Sequence, residues 1–289
     1  MMHSLSNYYL TVTIANKGAE LQSVYHHHNK VEYMWKAGPE WPKKSPVLFP
    51  IVGGLKNGRY VFNGKEYQLP RHGFARDMDF DLLYNDNDTL RFGIRDNDTT
   101  LAVYPFHFNF IIEYKLVHNT LSVSYLVENT GAETMYFSVG AHPAFAVPLA
   151  NNTGYDDYYL EFEQTETTDR WPLTPEGLID NNPTPFLDYT MHLPLVKDLF
   201  IKDAIVFKNL ASTKITLQSE KTPFGLSVEF KGFPYLGLWA ANNANFVCIE
   251  PWYGIADGVD ASGELTEKEG INHLTTGSSF DRSYAVSFF

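Results

Sequence analysis

The sequence predicts an all-β protein, a large antiparallel β-sandwich, and three observations carry that expectation. Apolar and polar residues alternate with period two along many runs, turn-forming clusters separate the runs, and no helical periodicity is long enough for a βαβ crossover. In chain order, LTVTI (10–14) is the first alternating run. NFIIEYKLV (109–117) and LSVSYLVEN (121–129) follow, and in the latter Leu121, Val123, Tyr125 and Val127 fall on one face. KITLQSE (214–220) and GLSVEFKG (225–232) repeat the pattern late in the chain. The turn clusters are KNG (56–58), FNGKE (62–66), YNDNDT (84–89), RDNDTT (95–100) and HNT (118–120), a spacing suited to meandering hairpins. No repeat of twenty to fifty residues is evident. The Pro- and Asn-rich tract Pro172–Pro194 reads as a surface excursion, because strands and aromatic residues continue beyond it. Residues 1–289 are therefore expected to form one domain, a size that β-sandwiches reach as single units.

Composition narrows the partners. A net charge of −12 disfavours nucleic acid and anionic membranes, which need broad surfaces of Lys and Arg. The opening MMHSLSNYYLTVTI lacks the basic-then-apolar pattern of a signal peptide, and no apolar run reaches the length of a membrane helix, so a cytoplasmic location is expected. A single cysteine, Cys248, excludes an internal disulfide and multi-cysteine metal sites; within NFVCIEPW it reads as a small buried hydrophobe. Asn87, Asn97 and Asn152 match the glycosylation pattern but read as turn residues.

Walker, dinucleotide-binding, HExxH, EF-hand and GxSxG motifs are all absent, and no metal or cofactor is expected. The run His26-His27-His28 beside Asn29 reads as a solvated turn, since neighbouring side chains on extended backbone point to opposite faces. Three stretches carry chemistry instead. LPRHGFARDMDF places His72 before Gly73 and between Arg71 and Arg76; SVGAHPAFAVPL sets His142 in apolar, Pro-bracketed sequence; CIEPWYGIADG puts Glu250 at the end of an apolar strand beside Trp252. Burial there would lift the carboxyl toward the range of a general base. Each residue alone is also compatible with a structural role, but two imidazoles and a carboxylate together supply a proton donor and a proton acceptor near neutral pH. Trp239, Trp252, Tyr253, Phe74 and Phe145 would offer flat faces for the C–H side of a sugar, with core filling as the competing reading.

The order KNGRY, LPRHGFARD, GAHPAF, FPYLGLW and IEPWYGIADG resembles the aldose 1-epimerase (galactose mutarotase-like) superfamily, and within it the LacX-like branch, over about residues 10–289. The resemblance implies a large antiparallel sandwich that interconverts sugar anomers without a cofactor. It implies that Glu250 takes the proton of the C1 hydroxyl, that His142 protonates the ring oxygen, and that His72 supports the developing charge. It further implies substrate contacts from Arg59, in NGRY, and from Asp203, in IKDAIVF, where a plain surface carboxylate is the alternative. The chain departs from the galactose mutarotases at His72-Gly73-Phe74 and at Ala141-His142-Pro143-Ala144-Phe145. HGFAR is instead shared in form with hexose-6-phosphate epimerases, which would make Arg59, Arg71 and Arg76 a local phosphate clamp. The expected partner is thus a small sugar or sugar phosphate. A non-catalytic sugar-binding module would keep the aromatic platform without needing paired proton carriers. A glycoside hydrolase would need two carboxylates about 5–10 Å apart, and only one well-placed acid is evident.

Overall fold

The computed structural model describes residues 1–289. The expected sandwich is present and almost entirely strand. Its larger sheet has nine antiparallel strands in the order Thr184–Pro194, Tyr159–Arg170, Lys214–Ser219, Thr222–Glu229, Ser279–Phe288, Thr120–Asn129, Phe108–Val117, Thr89–Arg95 and Asp81–Asn85. The alternation read from the sequence sets its layers: along Thr120–Asn129 every second residue is buried, the side chains between them being part-exposed. Phe108–Val117 pairs with it through a tight turn at His118–Asn119, with Val123 opposite Tyr114.

A smaller sheet of five strands is built on Phe246–Tyr253, buried on both faces for seven of its eight residues. On one side it pairs with Tyr235–Trp239, which continues to Ile205–Phe207; on the other it pairs with Val139–Gly140 and Ala144–Ala146. The two sheets share a hydrophobic core running from Leu5 to Phe288, in which Phe162 of the large sheet meets Phe207 of the small one edge to face at 6.1 Å. A four-stranded sheet (residues 2–32) and two hairpin-sized sheets complete the chain. No helix is long and apolar enough to cross a membrane.

Three local expectations need correction. RDNDTT is not only a turn: Asn97 accepts from the backbone N–H groups of Thr99 and Thr100 and thereby starts the short helix Asp98–Val103. The tract Pro172–Pro194 is not a simple excursion, because its second half is the edge strand Thr184–Pro194 and its first half reaches over the cavity described below. His26 is not part of a solvated turn. It ends the strand Leu21–His26 and is buried, and the turn begins at His27.

Candidate active site

Strand register brings His142 and Glu250 together. Gly140 pairs with Trp252 and Ala144 pairs with Cys248, so the short break between these two bridges carries His142 to the level of Glu250 on the neighbouring strand. The N–H of Ala141 donates to Pro251 O and holds the break against the strand. His142 Nδ1 lies 3.3 Å from Glu250 Oε1, although the contact falls short of hydrogen-bond geometry.

His72 arrives from a different part of the chain through strained backbone. It has φ +70° and is followed by Gly73 at φ +71°, where any Cβ would lie 2.3 Å from Phe49 O; glycine is required at that position. The His72 N–H donates to Gly53 O, and the Gly53 N–H donates in return to His72 Nδ1 at 3.0 Å. A neutral imidazole that accepts at Nδ1 carries its proton on Nε2, so His72 is a fixed hydrogen-bond donor. Its ring meets that of His142 edge-on at 5.7 Å.

These residues line a cavity of about 530 Å³, within the range of roughly 300–1,000 Å³ usual for small-molecule sites. Glu250 and Trp252, two residues apart on one strand, supply part of its lining, and Gly140 and Gly237 make room for the indole. Trp41 stacks on His142 at 5.0 Å, while Trp239 meets the same imidazole at right angles at 5.6 Å. Arg71, Arg76 and Asp203 also line the cavity. Arg71 Nη1 is 3.7 Å from Asp203 Oδ2, and Arg76 donates from Nη2 to Arg71 O while its buried Nε has no hydrogen-bond partner.

Burial dominates the electrostatics. It pushes the Glu250 carboxyl well above the usual range; Arg71 and the nearby Trp252 indole oppose the shift, and Asp203 reinforces it. Trp252 Nε1 and Glu250 Oε2 are both buried, and neither reaches hydrogen-bond geometry with any partner. Burial, helped by Arg71 and Arg76, lowers the His142 imidazole to about 3. Burial also takes His72 well below its ordinary value, with His142 and the two arginines adding to the effect. The His142–Glu250 pair is accordingly an uncharged one in these surroundings, with its single shared proton on the carboxyl.

Of the residues singled out in the sequence, His72, His142, Glu250, Arg71, Arg76, Asp203 and Trp239 converge on this cavity. Arg59 does not. It opens the hairpin strand Arg59–Phe62, is half-exposed, and is paired with Glu66 at 2.9 Å on the partner strand. The substrate contact expected of it is therefore not supported by its position. Sequence reasoning missed Trp41, and also Leu173, Gly177 and Ile179, which the 172–194 tract lays along the cavity. Trp41 had a weak signal in its Pro-flanked loop; the others had none. One further juxtaposition concerns metals. Ligand atoms of His142, Cys248 and Glu250 lie within 4.8 Å of one another, and burial holds the Cys248 thiol well above its ordinary value. The grouping follows from alternation, which puts residues 248 and 250 on the same strand face.

The aldose 1-epimerase family profile matches residues 1–271 of this chain. Protein LacX (plasmid) of Lactococcus lactis subsp. lactis is 34% identical over 297 residues, covering 99% of each chain. Among solved structures, a galactose mutarotase related enzyme from Lactobacillus acidophilus is 38% identical with a TM-score of 0.96, covering 100% of this chain and 97% of that one. A galactose mutarotase-like protein from Lactobacillus casei is 30% identical with a TM-score of 0.94 and covers 100% of both chains.

Proposed function

This chain belongs to the aldose 1-epimerase family, and from that premise we propose that it interconverts the α and β anomers of a hexopyranose by acid/base ring opening in the cavity around Glu250 and His142. The observation that carries this reading is the approach of a buried carboxyl to a buried imidazole, 3.3 Å apart, with a second imidazole 5.7 Å from the first ring to ring. Ring opening needs a base at the C1 hydroxyl and an acid at the ring oxygen. Each is worth about 10²–10⁴-fold.

Beyond the imidazole's own N–H, the pair carries one mobile proton. Moving it from the carboxyl to the imidazole gives a carboxylate and an imidazolium, and the hydroxyls of a bound sugar supply hydrogen bonds that offset the cost of burying both charges. Glu250 then takes the C1 hydroxyl proton while His142 protonates the ring oxygen, and the C1–O bond to the ring breaks to leave an aldehyde. After rotation about C1–C2 the steps run backward from the other face: His142 takes back the proton of the attacking hydroxyl and Glu250 returns a proton to the aldehyde oxygen. His72, donating from Nε2, would stabilise the ring oxygen or an adjacent hydroxyl. Trp41 and Trp239 would pack against C–H faces, and Arg71, Arg76 and Asp203 would bind the remaining hydroxyls.

A phosphorylated hexose is favoured by one specific feature: two guanidiniums line a single rim in a chain of net charge −12, and Arg76 Nε makes no hydrogen bond, its nearest carboxylate being Asp77 at 3.6 Å. The Arg71–Asp203 contact works against it, since that carboxylate would repel the ester. Freshly dissolved α-glucose, α-galactose and their 6-phosphates, followed by polarimetry or NMR, test both points. Wild-type rates above buffer on at least one sugar are expected, and E250Q and H142N should each lower the rate by about 10²-fold or more with the fold intact. Sugar binding without faster anomer exchange would turn the reading into that of a binding module.

A further inference from the structure

Outside the cavity lies a buried ion pair that the chemistry above does not use. Lys268 Nζ donates to Asp257 Oδ1 at 2.7 Å and to Ile255 O at 2.7 Å, and both side chains are almost wholly buried. The other carboxylate oxygen, Oδ2, accepts the backbone N–H of Lys56 at 2.9 Å. The Asp257 backbone adds two bonds: its N–H donates to Gly54 O at 2.9 Å and its carbonyl accepts from Ile179 at 2.8 Å. Gly54 and Lys56 are thus both bonded to Asp257, the first through the Asp257 backbone N–H and the second through the Asp257 side chain. Next to these bonds Ala256 presses on Gly53 so closely that a Cβ on Gly53 would sit 2.4 Å from that of Ala256.

Gly53 is the residue that fixes His72. It gives its N–H to Nδ1 and takes the His72 N–H on its carbonyl, and this exchange is what leaves the proton on Nε2. We infer that Asp257, clamped by Lys268, is a positioning residue: it holds the Gly53–Gly54 backbone where that exchange locks His72 in one tautomer, and it holds Ile179 against the cavity. This assignment rests on the acid/base reading above. A structural salt bridge would contribute to folding wherever it lay; this one is bonded directly to the only segment that hydrogen-bonds the His72 ring. Displacements of about 1 Å in such supports cost on the order of 10²-fold in rate.

The test compares D257A, D257N and the double variant D257A/K268M with wild type, using three readouts: thermal midpoint, kcat and KM for anomer exchange, and the ¹⁵N resonances of the His72 imidazole. Wild type should show one neutral tautomer with unprotonated Nδ1. D257A should mix the tautomers and lower kcat by about 10-fold or more with KM changed less than about 3-fold, and D257N, which keeps an oxygen for the Lys56 N–H, should recover most of both. If D257A does not fold, the double variant decides, because it removes both buried charges together. A folded D257A or double variant with wild-type kcat and an unchanged His72 spectrum would overturn the assignment. Wild-type inactivity on every sugar would instead overturn the catalytic reading, and the ¹⁵N comparison would still report on the brace.

Discussion

At the scale of single residues, the site departs from ordinary side-chain chemistry because water is kept from it. An exposed imidazole titrates near 6.5, and an enzyme relying on one would lose activity or gain it across that value. His142 is lowered to about 3 and Glu250 is raised well above the carboxylate range, so over the intervening pH interval the pair neither gains nor loses a proton. The kcat/KM profile for anomer exchange should therefore run flat through pH 6.5. On the acid side it should fall only as the pair takes up a second proton near the lowered His142 value. On the alkaline side it should fall as the pair gives up the shared proton at the raised Glu250 value. Stopped-flow polarimetry from pH 4 to 9 checks this, and an inflection centred on 6.5 would mean that an exposed imidazole carries the proton.

At the scale of elements, the wall around Glu250 depends on two glycines. The Trp252 indole is flanked by Gly140, directly opposite on one neighbouring strand, and by Gly237, diagonal to it on the other. A Cβ on Gly237 would lie 2.4 Å from the indole, and Gly237 itself pairs with Glu250. Its backbone is not left-handed, so a substitution there acts by steric crowding alone. G237A should lower stability by about 1–3 kcal/mol through overpacking and should slow anomer exchange by moving the indole against Glu250. Adding W252F, which shortens the ring, should restore the thermal midpoint, whereas a wild-type midpoint in G237A alone would show that the strand absorbs the methyl group. Such pairings also explain what was legible in the sequence. Strands with one wet and one dry face, such as Thr120–Asn129, announce themselves by alternation. Tyr159–Arg170 does not, because half of it is polar on both faces and bulges interrupt its pairing with Thr184–Pro194. His72, His142 and Glu250 were legible because each polar group stands in Gly-, Pro- and aromatic-rich sequence. Arg59's place apart from the cavity was not legible, because nothing local distinguishes a hairpin arginine paired across to Glu66 from one that faces a cavity, and Ile179 was hidden because only a long-range fold brings it to the site.

For the molecule as a whole, the same burial that prepares the cavity makes the fold's stability depend on pH. The imidazoles of His72 and His142 are depressed in the folded state, so below about 6.5 these two groups bind more protons in the unfolded chain than in the folded one. Their contribution is fully present above the unfolded value near 6.5 and is lost as pH falls toward the folded value. Glu250 has the opposite sign: its folded value is raised, so its contribution is present at low pH and is lost as pH rises through that value. Global carboxylate repulsion in a chain of net charge −12 complicates any single melting curve, but a difference between variants removes it. H142N should melt with a shallower dependence on pH than wild type between 4 and 6.5, and with a matching dependence above 7. E250Q should differ from wild type in slope from the unfolded carboxyl value near 4.5 upward to the raised folded value, the span over which only wild type loses this contribution with rising pH. Differential scanning calorimetry at half-unit steps separates the two limbs. Parallel curves for wild type and H142N below pH 6.5 would mean that the imidazole is not buried neutral, and with that the one-proton pair on which ring opening depends would be lost.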